Sequence, residues 1–562
     1  MQRVRRRVWA LTAATGIAGL LISFWSSPPQ YAASVNAPSS SAPPIHHVVE
    51  IMLENHTFDN LFGHFPNANG LPSNLTLPNP DTNYEAPGVS PMNAPGNVGD
   101  TVDINHNRAP EIMMMHNGEM NYYTVYPDNG LAAITEFGRA NIPNEWQLAQ
   151  HFVLAEDNFQ PATGPTQPNR EYAIAGTAGG WISDSPPNFT FSFPTIYQDL
   201  ASHGKSWGIF QGDYVSRNDA QNGLGFVRHW NTLWYTPIYQ NSAEWNAHVH
   251  NLNTFMNDVV SNHLPSFSFV VPTWLYSEHP PTEISLGDAW VGQLVTALMQ
   301  SPEWKSTAIF ITYDEGGGYY DHVSPPQNYR YGYGTRTPMV IISPWVKPGL
   351  DDALTSNVSI LAFMEHLWQL PPLTARDAQA NDLFSVFQST HPISKVSLPN
   401  VPVDTLEITN KPSESQAAQP GQRMTLTIEA KTVALQTDPT FNEPLALQVV
   451  APQGTQLPLG WQDHVMLVHG KASLTLTFPD AGYYQIHAWS LSSTHTANGG
   501  ATLDVGVGPD TVLNTQVTTI GPTPVLPMTT AQFTTALPAH SPTPRGPISP
   551  QGFAHPLDSD PS

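Results

Sequence analysis

Val48-Val49-Glu50-Ile51-Met52-Leu53 is a short β-branched and apolar run that stops abruptly on Glu54-Asn55. A run of this kind, bounded by polar residues and breakers, is the pattern of a strand buried on both faces. Three more follow: Phe267-Ser268-Phe269-Val270-Val271, Ala308-Ile309-Phe310-Ile311 and Met339-Val340-Ile341-Ile342. Among them lie helical stripes, with Trp290, Leu294 and Leu298 at i, i+4, i+8, and a second set at Ile360, Met364, Leu367 and Trp368. Buried strands alternating with helices predict an α/β domain, a mainly parallel sheet sandwiched by helices, over residues 45–395.

The pattern changes beyond this domain. Met424-Thr425-Leu426-Thr427-Ile428 and Ala472-Ser473-Leu474-Thr475-Leu476-Thr477-Phe478 alternate with period two, which predicts an immunoglobulin-like β-sandwich over 404–508. Asp480-Ala481-Gly482-Tyr483-Tyr484 places Tyr484 where such sandwiches carry a tyrosine corner. From 509 to 562 the chain is rich in Pro and Thr and is expected to be a disordered tail. At the other end, Arg3, Arg5, Arg6 and Arg7 precede an uncharged, mostly apolar stretch from Val8 to Trp25, so residues 1–33 read as a signal peptide or an uncleaved N-terminal anchor. A Ser/Pro linker at 34–44 follows. The expected location is outside the cytoplasm: secreted, periplasmic or on the outer surface.

Composition excludes several classes of function. The chain has no cysteine, so disulfides, thiolate metal sites and cysteine nucleophiles are out. Lys+Arg 21 against Asp+Glu 45 leaves a net charge of −24, which is repelled by a phosphate backbone. No nucleic-acid partner is expected, and no feature predicts a protein partner.

In a parallel sheet, ligands bind beyond the carboxyl ends of the strands. One strand ends in Glu54-Asn55 and another in Asp314-Glu315, followed by Gly316-Gly317-Gly318. Two adjacent oxygen pairs at one sheet edge suit a hard or borderline divalent cation, with Ca, Mg, Mn and Zn all open. Gly164-Pro165-Thr166-Gln167-Pro168-Asn169-Arg170 precedes and opens a helix. Thr166 fits either a plain N-cap or a hydroxyl placed where helix N–H groups attract phosphate. A cation touching that hydroxyl would make it a nucleophile.

These residues carry a resemblance. Glu54-Asn55-His56-Thr57-Phe58-Asp59-Asn60-Leu61-Phe62-Gly63, Gly164 to Arg170, Glu278-His279-Pro280-Pro281, and Tyr313 to Pro326 resemble, in order, four signature segments of the bacterial phosphoesterase family, which contains non-specific phospholipases C and acid phosphatases. The resemblance implies an alkaline-phosphatase-like fold and metal-assisted hydrolysis of a phosphate ester, possible substrates being phosphomonoesters or phospholipids. Position by position it implies Glu54, Asn55, Thr166, Asp314 and Glu315 as metal ligands, Thr166 as nucleophile, and His106, His279 and His322 as catalytic histidines. Arg170 and Asn169 become candidate substrate-binding residues. The chain departs from the family pattern at Ser356-Asn357, where Asp-His is expected. That departure, with the added sandwich, sustains a rival reading as an inactive extracellular binding or adhesion protein.

Overall fold

The computed structural model describes residues 43–520, apart from 80–88, 94–102, 127–128, 213, 215–216, 218–225, 283, 328, 400–403, 412–418, 433–436, 453–455, 491–500 and 508–516. The expected leader, nearly all of the linker and most of the expected tail lie outside the described residues. Among the described residues no helix is long and apolar enough to cross a membrane.

Eight strands form the main sheet: β1 His47–Leu53, β2 Val153–Ala155, β3 Trp207–Gln211, β4 Val249–His250, β5 Phe267–Val271, β6 Thr307–Tyr313, β7 Met339–Ile342 and β8 Gly349–Asp351. Their spatial order is β8-β2-β7-β6-β1-β5-β3-β4. β1 is central and pairs in parallel with β5 and with β6, the latter in register from His47↔Thr307 to Leu53↔Tyr313. That register brings both strands to an end at the same level, so Glu54 and Asp314 leave the sheet side by side. Only β7 runs against its neighbours, pairing antiparallel with β6 and β2.

Every residue of β3, β5, β6 and β7 is buried. Successive side chains on a strand point to opposite faces, so the sheet is covered on both. The helix Ile284–Gln300 buries Trp290, Leu294 and Leu298 as expected, and begins five residues before the Ala289 at which its stripe becomes legible. The helix Asn357–Trp368 opens on a capping box between Ser356 and Ser359.

The C-terminal strands form two antiparallel sheets. One is Asp404–Lys411, Arg423–Thr432 and Lys471–Thr477. In the other, Pro444–Pro452 pairs with His464–Met466 and Gly482–Ser490, and Gly482–Ser490 pairs with Ala501–Val507. Between them lies an apolar core of their own, including Leu426, Ile428, Leu447, Val449, Leu476 and Ile486. Val517–Ile520 adds a further strand on Pro444–Pro452, so the second sheet runs past the expected limit at 508. The reason is local: Val-Thr-Thr-Ile is β-branched throughout and free of proline, unlike the sequence after it.

The Tyr484 side chain is buried and its hydroxyl donates to the Asp480 carbonyl at 3.1 Å, the geometry of a tyrosine corner. We predict that Tyr484→Phe lowers the stability of the sandwich by about 1 kcal/mol, the usual net worth of one neutral hydrogen bond. Urea unfolding of the full chain, followed by sandwich and α/β probes separately, should show only the former transition moving.

Candidate active site

The end of β1 presents Glu54 and Asn55, and the end of β6 presents Asp314 and Glu315; all four are buried. Asn55 is left-handed, φ 63°, a conformation asparagine tolerates better than most residues. Gly317, also left-handed, lies directly against it. A Cβ at Gly317 would collide with the Asn55 carbonyl, so this turn needs a glycine at that point. The Asp314 Oδ1 accepts from the Glu315 amide at 2.8 Å and the Asn55 amide at 3.3 Å, joining the two strand ends.

The helix Thr166–Ala175 ends at the same place. Thr166 is its first residue and Pro165 precedes it as the cap, so the plain N-cap reading does not hold. The Thr166 hydroxyl donates to Glu54 Oε2 at 3.3 Å. Arg170 lies one turn on and so shares its face. Its guanidinium donates to Glu54 Oε1, to Asp314 Oδ2 at 3.1 Å and to the Trp230 carbonyl at 3.3 Å. Arg170 therefore braces the cluster. Asn169 is likewise held by backbone: its amide donates to the Gly164 and Pro165 carbonyls and accepts from the Ala162 amide, which shapes the loop before Thr166.

Burial makes this cluster electrostatically unbalanced. It raises Glu54 well above the ordinary carboxylate range; Asp314 adds to the rise and Arg170 opposes it. Burial, then the Asp314 charge, does the same to Glu315. Glu50 is pushed up to about 8 by burial, against the pull of Arg170, and neither of its oxygens has a hydrogen-bond partner. Both polar atoms of the Asn55 amide and Glu315 Oε1 also have none. Several buried carboxylates thus share one guanidinium, with an amide oxygen and a carboxylate oxygen left over. This donor set fits a divalent cation, whose charge would let the acids ionise.

The three histidines part company. His106 Nδ1 lies 2.7 Å from the Ile104 carbonyl and its Nε2 is 3.7 Å from Glu315 Oε1, which attaches it to the cluster. His279 meets the His106 ring edge-on at 5.8 Å and, with Asp103, the two make a compact group of possible metal ligands. Burial, helped by His106, lowers the His279 pKa. His322 belongs to a different group: its Nδ1 is 2.6 Å from Asp59 Oδ2, and Arg336 donates to Asp59 and Asp321 at 3.0 and 2.9 Å.

Three further residues belong to the site, and two of them, His229 and Asp184, carry no sequence signal. His229 is lowered to about 4 by burial and then by Arg170. Asp184 accepts from the Gln167 amide at 2.7 Å, and burial pushes it up to about 6. Asn357, at the departure from the family pattern, accepts from the Thr312 hydroxyl at 2.8 Å and donates to the Tyr313 carbonyl at 3.0 Å, steadying the strand end before Asp314.

Residues 45–371, which span the whole of this arrangement, match the Phosphoesterase family. The chain belongs to that family. Among similar members is the non-hemolytic phospholipase C of Pseudomonas aeruginosa, 25% identical over 62% of this chain and 58% of its own length. The non-hemolytic phospholipase C of Burkholderia pseudomallei is 27% identical over 62% of this chain and 59% of its own. The chain thus spans under two thirds of either relative. A solved structure from Vibrio parahaemolyticus, described as a protein in the alkaline phosphatase superfamily, is 10% identical, covering 70% of this chain and 79% of that one with a TM-score of 0.31.

The folded protein holds the Glu50 proton to about pH 8, whereas an exposed glutamate releases it near 4.5. The contribution of this group to stability is therefore complete below about pH 4.5 and falls as pH rises towards 8. Glu50→Gln should raise the melting temperature at pH 8 and leave it nearly unchanged at pH 4.5. Thermal denaturation at the two pH values checks this.

Proposed function

We propose that the chain is an extracytoplasmic, metal-dependent phosphoester hydrolase in which Thr166 is the nucleophile, with phospholipase C chemistry on a phospholipid as the favoured activity. The observation that carries the proposal is the Thr166 hydroxyl at a buried helix N-terminus, 3.3 Å from Glu54 and one turn from Arg170. The names of the relatives favour a phospholipid over a phosphomonoester.

Glu54, Asn55, Asp314, Glu315 and the Thr166 hydroxyl would hold the cation, which supplies Lewis-acid stabilisation of the phosphoryl charge and of the ionised hydroxyl. Thr166 Oγ1 gives its proton to the Glu54 carboxylate that accepts its hydrogen bond and attacks phosphorus opposite the departing alcohol, forming a Thr166 Oγ–P bond as the P–O bond to that alcohol breaks. His106, between the Asp103 and Glu315 carboxylates at 3.6 and 3.7 Å, would give the leaving alcohol its proton. His279 has its Nδ1 2.5 Å from the Pro280 carbonyl, which requires Nδ1–H and leaves a lone pair on Nε2. With its lowered pKa it suits the second step, taking a proton from the water that hydrolyses the phosphothreonine.

Thr166→Ala should reduce turnover at least a thousandfold while Thr166→Ser retains a substantial fraction, measured on phosphatidylcholine vesicles and on p-nitrophenyl phosphate. Comparable rates in wild type and Thr166→Ala would refute the covalent route. Asp314→Asn should lose bound metal and activity together, read by elemental analysis of the purified protein beside the same assays. Full metal occupancy in an inactive variant would assign Asp314 to another role.

A further inference from the structure

The amide next to the nucleophile is not free. Gln167 N–H donates to Asp184 Oδ1 at 2.7 Å, and Asp184 makes no ion pair among the described residues. His106, Asp314 and Arg170 are close enough to act on the charge of Asp184, which sets it beside the reacting cluster. It comes from the stretch between the helices Thr166–Ala175 and Ile196–Ser202, which contains no helix or strand. The first-turn residue Pro168 has no N–H to offer, which leaves the Gln167 amide as a principal anion donor beside Thr166.

In acyl-transferring enzymes the N–H one residue after a nucleophile at a helix start receives an oxygen of the attacked group, and the corresponding oxygen here is one carried by phosphorus. Here a fixed negative charge already stands at that position. A phosphomonoester in its dianionic form has three non-bridging oxygens sharing two charges, and one of them must approach Asp184. A phosphodiester has two such oxygens and one charge, and can turn its uncharged ester oxygen to this side. We infer that Asp184 is a charge filter that makes the site prefer singly charged phosphodiesters over doubly charged phosphomonoesters. The inference rests on the phosphoester reading above and adds to it the residue that selects the ester class.

Asp184→Asn keeps an oxygen acceptor for the Gln167 amide while removing the charge; Asp184→Glu keeps the charge. At pH 8, where phosphomonoesters are dianions, the ratio of kcat/KM for p-nitrophenyl phosphate to that for bis(p-nitrophenyl) phosphate should rise at least tenfold in Asp184→Asn. In Asp184→Glu it should stay within about threefold of wild type. Binding of inorganic phosphate and of dimethyl phosphate is measured by calorimetry on the same proteins. Phosphate should bind at least fivefold tighter to Asp184→Asn, with dimethyl phosphate within twofold. An unchanged ratio with both rates falling together makes Asp184 a helix cap and overturns the inference, as does unchanged phosphate affinity or no phosphate binding to either protein. If wild type turns over neither ester, the catalytic reading fails, and the binding measurements alone decide the inference.

Discussion

One buried guanidinium holds the site together. Arg170 reaches Glu54 at the end of β1 and Asp314 at the end of β6, and no part of any of the three is exposed to solvent. Desolvating such a group costs several kcal/mol, and only close, well-directed partners recover it; loss of one partner typically costs 3–5 kcal/mol. Because Arg170 lies one turn from Thr166, the same ion pairs that anchor it also turn the threonine hydroxyl towards Glu54. Placement of the Thr166 hydroxyl and stability of the fold are therefore one problem in this protein.

A second cluster shows what a completed version of this design looks like. Arg336 bridges Asp59 and Asp321 much as Arg170 bridges its own pair, and His322 closes the group. There each carboxylate oxygen has a partner: the His322 and Val323 amides and the Asp59 amide take what Arg336 leaves. Burial lowers His322, but the adjacent Asp59 outweighs it and the net shift is upward. The contrast is with the Glu54–Asp314 cluster, where an amide oxygen and a glutamate oxygen remain unpartnered. One group has every carboxylate oxygen hydrogen-bonded, although its three side chains lie close enough together to ligate an ion; the other has oxygens left over.

The parts of this arrangement legible in the sequence are those fixed by strands. A buried run ending in Glu54-Asn55 and another ending in Asp314-Glu315 announce their positions, because the parallel register leaves both pairs at one edge. Thr166 was readable as a hydroxyl at a helix start, whereas Arg170 came only through the resemblance, as a substrate-binding candidate, and in the structure it pairs with Glu54 and Asp314. Asp184 and His229 were not readable, since they arrive on segments whose course depends on tertiary packing and their spacing from Thr166 has no periodic meaning. Asn169 occupies a suggestive motif position, and its side-chain amide is engaged with the backbone of the loop before Thr166. The boundary of the sandwich was misjudged because composition over a long tail hides a four-residue strand within it.

The contact of Gly317 with the Asn55 carbonyl has an evolutionary side. It joins the loops after β1 and β6 through main-chain atoms, with no side chain between them. Ordinary substitution alters side chains, and so has no means of widening or narrowing this gap by degrees. The spacing of the two acidic strand ends behaves as an all-or-none character: it is inherited whole or destroyed. Diversification is left to the partners that arrive from loops, where Asp184, His229 and the His106–His279 pair lie, so divergence among members should accumulate in the binding half of the site while its ionic half stays constant.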